Sequence, residues 1–189
     1  MKQAKVINEI EFRRFLAVID ASQHSERNRC AVMLSYYAGL RVGEIASLTI
    51  SDIFDADDNV RDQILLKAAY TKGNHARTVF VSKRLEKELV RYRKSLGELP
   101  ATDKPLLMTQ KRTPFSPNTL CQLFGQLYAK AGLDGATSHS GRRSFITKLA
   151  HAGVSAKVIM TLAGHRHLAT TQRYIDVNDE MMRQAVEVV

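Results

Sequence analysis

The chain has 189 residues, of which 44% are hydrophobic and 25% charged, and its formal net charge is +9. This composition is ordinary for a soluble globular domain, and the positive charge favours a polyanionic partner such as nucleic acid. No window approaches 18 uninterrupted apolar residues and the N-terminus has no apolar run, so we expect a cytoplasmic protein without a membrane span or signal peptide. Cys30 and Cys121 fit no CxxC pattern and are predicted to be buried thiols.

Hydrophobic periodicity predicts helices at the N-terminal end of the chain. Asn8 and Glu11 form a capping signal, after which apolar residues recur at helical spacing. A second helix is predicted from near Ser25 to Gly39, and a short helix over residues 40–45. These three segments predict that the domain begins as a helical bundle.

The hydrophobic period changes in the middle of the chain. Residues 48–50, 63–66 and 78–81 are predicted as three short strands. The last two flank residues 71–74, a turn signal with Lys72 at its tip. Residues 61–94 also hold ten Lys or Arg against three acids, whereas residues 51–60 hold four aspartates and no base. This contrast predicts that one face binds a nucleic-acid backbone.

Helical patterns return after the strands. Ser82 is predicted to cap an amphipathic helix, residues 106–108 to form a short buried strand, and Ser116 with Pro117 to start a helix that ends at Gly132. We find no internal repeat and no domain boundary. The sequence therefore predicts one mainly α domain with a small antiparallel β-sheet.

Two basic residues have more than one interpretation from the residues alone. Arg41 lies three residues before Glu44, which fits either a surface ion pair or an arginine that Glu44 holds in a functional site. Lys72 at the tip of a hairpin fits either a solvated charge or a mobile proton donor that reaches a phosphate.

Chemically active side chains are concentrated between His139 and Tyr174. Ser138 is predicted to cap a helix that contains Arg142 and ends at Gly153, and a short helix follows over Ala156–Ala163. The segment offers two histidines, adjacent arginines and a phenol, a set that suits an anionic centre with several oxygens such as a phosphate diester.

Several other chemistries lack the motifs that they require. The chain has no HExxH and no clustered carboxylates for a metal, no GxSxG for a serine nucleophile and no GxxxxGK[ST] loop for a nucleotide. We therefore expect no metal and no cofactor. What remains is phosphoryl chemistry that side chains perform alone.

Five segments, in this order, resemble the motifs of the tyrosine recombinases, also called phage-type integrases: AGLRVGEIASL, TKGN, HSGRRSF, LAGHRH and TTQRY. The resemblance covers residues 8–174 and implies the family's catalytic-domain fold as a single domain over residues 1–189. It also implies a catalytic set made of Arg41, Lys72, His139, Arg142, His165 and the nucleophile Tyr174.

The resemblance implies a role for each of these groups. Tyr174 would attack a DNA phosphodiester to form a 3′-phosphotyrosyl link, and Lys72 would protonate the leaving 5′-oxygen. Arg41, supported by Glu44, and Arg142 would hold the non-bridging oxygens. His139 would assist proton transfer and His165 would hydrogen-bond the phosphate. The basic residues predicted to contact DNA are Lys67, Arg77, Arg143 and Arg166.

The chain departs from the family in three respects. The family box more often reads HxLR, and Gly141 in place of the leucine predicts a lost packing contact, added flexibility and a different start for the helix. The LGH segment of the family reads LAGH here, which has no obvious chemical consequence. We also expect the N-terminal core-binding domain of many members to be absent, which fits either a compact member or a fragment of a longer protein.

The resemblance implies double-stranded DNA as partner, a homo-oligomer on DNA that is a tetramer in the synapse, accessory DNA-binding proteins and a nucleoid-associated location. The C-terminal tail, residues 178–189, fits either packing on its own domain or docking on a neighbouring subunit. A type IB topoisomerase and a DNA-binding regulator without strand exchange stay open as alternative functions.

Overall fold

The computed structural model describes residues 3–71, 75–98, 101–175 and 179–187. In chain order the helices and strands are α1 (Glu9–Asp20), α2 (Ser25–Ala38), α3 (Val42–Ser47), α4 (Ile50–Ile53), β1 (Gln63–Leu66), β2 (Arg77–Phe80), α5 (Lys83–Ser95), α6 (Pro117–Lys130), α7 (Ser140–His151), α8 (Ala156–Ala163), α9 (Leu168–Gln172) and α10 (Asp179–Val186). The prediction of a mainly α domain with a small antiparallel sheet is confirmed.

Helix α2 lies at the centre of the fold and packs against α1, α3, α5 and α7. Nine of its residues are buried, so its apolar surface is not confined to one stripe, as expected of a helix surrounded by other elements. The ring of Tyr36 stacks on Phe12 of α1 with their centroids 3.5 Å apart. Two of the helices that pack on α2 thus carry or follow candidate catalytic residues, since Arg41 precedes α3 and Arg142 lies in α7.

The predicted helix ends are borne out at several places. The Asn8 side chain accepts from the Glu11 N–H at 2.9 Å, while the Asn8 N–H donates to the Glu11 carboxylate at 3.1 Å. Ser82 caps α5, and Ser116 caps α6 with Pro117 in its first turn. Gly39 ends α2 in the left-handed region at φ 63°, where a residue without a Cβ carries no steric penalty.

The strand predictions are only partly correct. β1 and β2 pair antiparallel, with Gln63 opposite Phe80 and Leu66 opposite Arg77. Residues 48–50 are not a strand: Thr49 forms one isolated bridge with Pro105, and its N–H donates to Asp52 at 2.8 Å, which starts α4. Residues 106–108 are likewise not a strand, although Leu106 and Leu107 are buried as expected.

Helix α7 begins later than the sequence predicts. Ser138 does not cap it, because His139 occupies the N-cap position and the helix starts at Ser140. The preceding turn is closed by Thr137, whose N–H donates to the Ser140 hydroxyl at 2.9 Å and whose carbonyl accepts from the Ser140 N–H at 2.8 Å. The hydroxyl of Ser138 instead accepts from Cys121, a thiol that is exposed rather than buried as predicted.

Gly141 permits a close approach between α7 and α2. It is buried, and a Cβ built on it would lie 2.6 Å from the Ser35 hydroxyl oxygen and 3.0 Å from the Ser35 Cβ. The expectation that this glycine loosens the helix is therefore replaced by a steric reason for having it. α7 is also tied to the N-terminal segment, since the Ile7 N–H donates to the Ser144 hydroxyl at 2.8 Å.

A second, smaller core joins α7, α8 and the segment that contains Tyr174. It is built from Ile146, Ala150, Ile159 and Ala163.

Helix α10 exposes apolar side chains: Met182 and Val186 are 51% and 70% exposed. Within the described ranges, no helix has both the length and the hydropathy to cross a membrane.

Candidate active site

The fold brings together side chains from four separate parts of the chain. A cleft of about 560 Å³ is lined by residues from α3, β2 and the segment that follows α8, among them Arg41, Glu44, Arg77 and His165. Arg142 of α7 lies beside the cleft, because its Nη2 donates to the carbonyl of Ala163, the residue before Gly164 in the cleft wall. The ring of Tyr174, which follows α9, stacks on the ring of His165. Two predicted catalytic residues, Arg41 and His165, therefore line the cleft, and two more, Arg142 and Tyr174, adjoin its wall.

Glu44 binds two of the arginines that line the cleft, Arg41 and Arg77. Its carboxylate is 1% exposed and accepts from the Arg41 N–H at 2.8 Å, the Arg41 guanidinium at 2.9 Å and the Arg77 guanidinium at 2.9 Å. Burial acts to raise the pKa of Glu44, but the charges of Arg77 and Arg41 and the backbone hydrogen bond outweigh it and hold this pKa below its ordinary value. The carboxylate is thus ionised and fixes both guanidinium groups.

Arg142 is a buried cation that ends on backbone carbonyls. It is 5% exposed, its Nη1 donates to the Gly39 carbonyl at 2.6 Å, and its Nη2 donates to the Ala163 carbonyl. Burial and the neighbouring charge of Arg41 lower its pKa, although a guanidinium remains protonated at neutral pH. The Glu44 carboxylate attracts this charge but makes its direct ion pairs with Arg41 and Arg77, so Arg142 can also attract an anion in the cleft region.

His165 and Tyr174 lie face to face. Their ring centroids are 5.8 Å apart with an interplanar angle of 19°. The His165 Nδ1 lies 2.9 Å from the hydroxyl oxygen of Thr171, which is fully buried. Burial, together with the charges of Arg142, Arg41 and Arg77, lowers the pKa of His165 to about 4, so the imidazole is neutral at physiological pH. When Thr171 donates to Nδ1, the ring proton is on Nε2 and can be donated to an oxyanion.

Arg143 lies over the ring of Tyr174. Its guanidinium carbon is 5.8 Å from the centroid of the Tyr174 ring, a distance at which a cation is attracted to an aromatic face. Its Nε is buried and has no hydrogen-bond partner among the described residues. Arg143, predicted as a DNA contact, is therefore placed beside the candidate nucleophile.

The remaining predicted residues are less closely grouped. His139 is exposed at the N-cap of α7, one turn from Arg142, and Lys72 lies outside the described residues. Lys67 is exposed and lies 5.5 Å from the centroid of the Tyr70 ring. Arg166 is exposed at the edge of the cleft, with its Nη2 2.8 Å from the Nε2 of His75.

The sequence does not reveal that Arg77 is partly buried and Thr171 fully buried. Arg77 is predicted as a DNA contact, although Val79, two residues later, faces the core, and the two-residue period of a strand puts both on one face. Thr171 lies one helical turn before Tyr174, a spacing that could have indicated a shared face. Among the described residues, no three His, Cys, Asp or Glu side chains are grouped so that they could hold a metal ion.

Comparison with known proteins identifies relatives over nearly the whole chain. Residues 5–181 match the model of the phage integrase family. The tyrosine recombinase XerA of Pyrococcus horikoshii is 33% identical over 187 residues, which are 97% of this chain and 60% of that protein. The chain therefore spans about three fifths of the length of this curated relative.

Solved structures share the fold. The crystal structure of XerA recombinase superposes with a TM-score of 0.75 at 26% identity, covering 98% of this chain and 63% of that one. The Tn1549 transposon integrase, solved in complex with circular intermediate DNA, gives a TM-score of 0.76 at 19% identity over 99% of this chain and 67% of that one. The fold of the chain is thus shared with these two solved structures.

Proposed function

Because the chain belongs to the phage integrase family, we propose that it is the catalytic domain of a site-specific DNA recombinase of the tyrosine type. It cleaves and rejoins DNA strands through a 3′-phosphotyrosyl intermediate, without a metal ion or ATP. The observation that carries this proposal is the grouping of four side chains: Arg41 and His165 line the cleft, Tyr174 stacks on His165, and Arg142 donates to the carbonyl of Ala163 beside the cleft.

The charges around the cleft suit an in-line attack on a phosphodiester. The Tyr174 oxygen attacks phosphorus, a new P–O bond forms, and the bond to the 5′-oxygen breaks with its electron pair on that oxygen. Arg41 and Arg142 stabilise the charge that builds up on the non-bridging oxygens, and both are held in place before substrate arrives. His165, neutral at pH 7, donates a hydrogen bond to the phosphate without adding charge repulsion to the arginines.

Proton transfers complete the reaction. The phenol of Tyr174 gives up its proton with the help of His139, and Lys72 protonates the leaving 5′-oxygen. The energy of the broken bond is retained in the phosphotyrosine, so a 5′-hydroxyl from a second strand can attack it and release the tyrosine. A nucleotide cofactor is therefore unnecessary.

The proposed partner is double-stranded DNA. The protein binds it as a homo-oligomer that is a tetramer in the synapse, together with accessory DNA-binding proteins. Its proposed location is nucleoid-associated. Support for an assembly comes from α10, where Met182 and Val186 expose apolar surface that a neighbouring subunit can cover. Lys67, Arg143 and Arg166 are proposed as DNA contacts.

The decisive experiment traps the covalent intermediate. The protein is incubated with a library of nicked duplexes whose central sequence is randomised, and complexes that survive denaturation are isolated and sequenced. Wild-type protein is expected to form such adducts and Tyr174→Phe to form none, because phenylalanine lacks the attacking oxygen. Absence of any wild-type adduct, or equal adduct from Tyr174→Phe, refutes the assignment.

Two further outcomes separate the alternatives. Relaxation of a single supercoiled duplex without strand exchange between duplexes would identify a type IB topoisomerase. Sequence-selective binding without any covalent adduct would identify a DNA-binding regulator that has the fold alone.

A further inference from the structure

We propose that Arg77 is a positioning residue that holds the two sides of the active site in register, rather than a contact to DNA. The inference rests on the proposed function, because what Arg77 positions is the catalytic set of that reaction. It is drawn from the contacts of one side chain whose two terminal nitrogens end on different segments.

Arg77 connects segments that are far apart in the sequence. From β2, its Nη2 donates to the Glu44 carboxylate in α3 at 2.9 Å, and its Nη1 donates to the Leu162 carbonyl in α8 at 2.8 Å. Glu44 in turn holds Arg41, and Leu162 lies three residues before His165. One guanidinium therefore fixes the distance between the segment that supplies Arg41 and the segment that supplies His165.

Close packing makes this connection rigid. A Cβ built on Gly164 would lie 2.5 Å from the Arg77 Cδ and 2.8 Å from its Nε, so the Arg77 stem occupies the space that a side chain at residue 164 would fill. Gly164 itself is at φ 63°, the conformation that turns the chain from α8 toward His165. Arg77 thus packs directly against the turn that sets the direction of His165.

The side chain exposes little surface to a DNA phosphate. It is 11% exposed, both terminal nitrogens donate to protein acceptors, and its Nε–H is buried without a hydrogen-bond partner among the described residues. The planar, forked guanidinium suits two acceptors that diverge, whereas a lysine ammonium is a point charge that cannot match both. Both bonds start from β2, which pairs with β1, so the same contacts also tie this two-stranded sheet to the cleft.

The test compares Arg77→Met, which removes both hydrogen bonds, with Arg77→Lys, which keeps the charge. Lys87→Met, at an exposed position on α5, is the control for loss of one positive charge. The rate of adduct formation is measured in single turnover at saturating nicked duplex. Affinity for the same duplex is measured as a function of salt.

Arg77→Met is expected to form adduct on the order of 100-fold more slowly, the effect of a small misplacement of catalytic groups. Its DNA affinity and salt dependence should match those of wild type, whereas loss of a phosphate contact lowers the salt slope by about one. Arg77→Lys should be slowed as well, and Lys87→Met should react at the wild-type rate. A reduced salt slope with a normal saturating rate, or full activity in either Arg77 variant, overturns the proposal.

A measurement without DNA separates this inference from the proposed function. The NMR signals of the His165 ring should shift in Arg77→Lys, which keeps the charge but cannot hold both acceptors, and should be unchanged in Lys87→Met. Unchanged His165 signals in Arg77→Lys refute the positioning role, whatever the activity of the protein. If Arg77→Met does not fold, Arg77→Lys carries both measurements. Absence of wild-type adduct refutes the proposed function alone.

Discussion

Replacement of Gly141 by alanine is expected to destabilise the protein, although alanine is the better helix former. The added Cβ would lie 2.6 Å from the Ser35 hydroxyl oxygen and 3.0 Å from the Ser35 Cβ, where ordinary contacts begin at 3.4 Å. The hydroxyl can rotate away, but the Cβ and the α2 backbone behind it cannot. α7 must therefore move away from α2 by a few tenths of an ångström.

The magnitude follows from the cost of overpacking. Insertion of one methyl group into a well-packed interface costs about 1–3 kcal/mol, which exceeds the gain of about 0.5–1 kcal/mol from replacing a helical glycine. We expect a net loss of about 1–2 kcal/mol, which lowers the melting temperature by roughly 2–4 °C per kcal/mol in a chain of this size. Adduct formation should also slow, because α7 carries Arg142.

The assay is chemical and thermal unfolding, with Gly125→Ala as the matched control. Gly125 is an exposed position within α6, and a Cβ added there meets nothing within 4 Å. This substitution should stabilise the protein by about 0.5–1 kcal/mol. Opposite signs for two glycine-to-alanine changes in helices would isolate the steric term at residue 141.

A second substitution tests the assigned cause. The Ser35 hydroxyl is buried without a hydrogen-bond partner in the described residues, so Ser35→Ala removes both the nearest obstacle and an unsatisfied polar atom. Ser35→Ala with Gly141→Ala should lose less stability than the sum of the single changes. Strict additivity, or a Gly141→Ala protein as stable as wild type, refutes the steric explanation.

Three further outcomes are expected. His165 should remain neutral as pH is lowered to about 5 in an NMR titration, because its pKa is about 4. Since the unfolded imidazole binds its proton near pH 6.5, this residue's contribution to stability is lost as pH falls from about 6.5 to about 4. Titration near pH 6.5 in the folded protein would contradict the burial argument. Arg41→Ala should reduce the single-turnover rate of adduct formation by about 10²–10³-fold while DNA binding falls only modestly, and equal losses of both would mean that Arg41 only positions DNA. Asn8→Ala should lower the free energy of unfolding by about 1 kcal/mol, because the Glu11 N–H loses its acceptor, and unfolding at the wild-type denaturant midpoint would show that this cap contributes nothing.

Local signals in the sequence were sufficient to predict most helices and where they begin and end. The capping box at Asn8, the serine at position 82 and the glycine after α2 act through neighbouring residues, so their effect is readable without tertiary information. A local signal also explains why the strand prediction for residues 48–50 was wrong. Their apolar run resembles a strand, but Asp52 gives Thr49 a local partner that starts a helix.

The sequence indicates candidate residues for the site but not the contacts that they make. The order and spacing of five motifs predict which side chains take part, whereas the partners of a partly buried arginine depend on segments that meet only in the fold. Arg77 illustrates this limit, since it lies 33 positions from Glu44 and 85 from Leu162. Gly141 could be seen as a departure, but its reason lies on another helix, at Ser35.

Because the guanidinium of Arg142 is buried, folding of the protein and binding of an anion beside Arg142 are linked equilibria. This charge is largely removed from water and donates to two neutral carbonyls, so a bound anion beside it would stabilise it further. Any polyanion that binds the folded chain and not the unfolded chain therefore shifts the unfolding equilibrium, by about 2.7 kcal/mol at a hundredfold excess over its dissociation constant. Under the proposed function, the melting temperature of this domain should therefore rise when DNA is added and should be lowest without DNA.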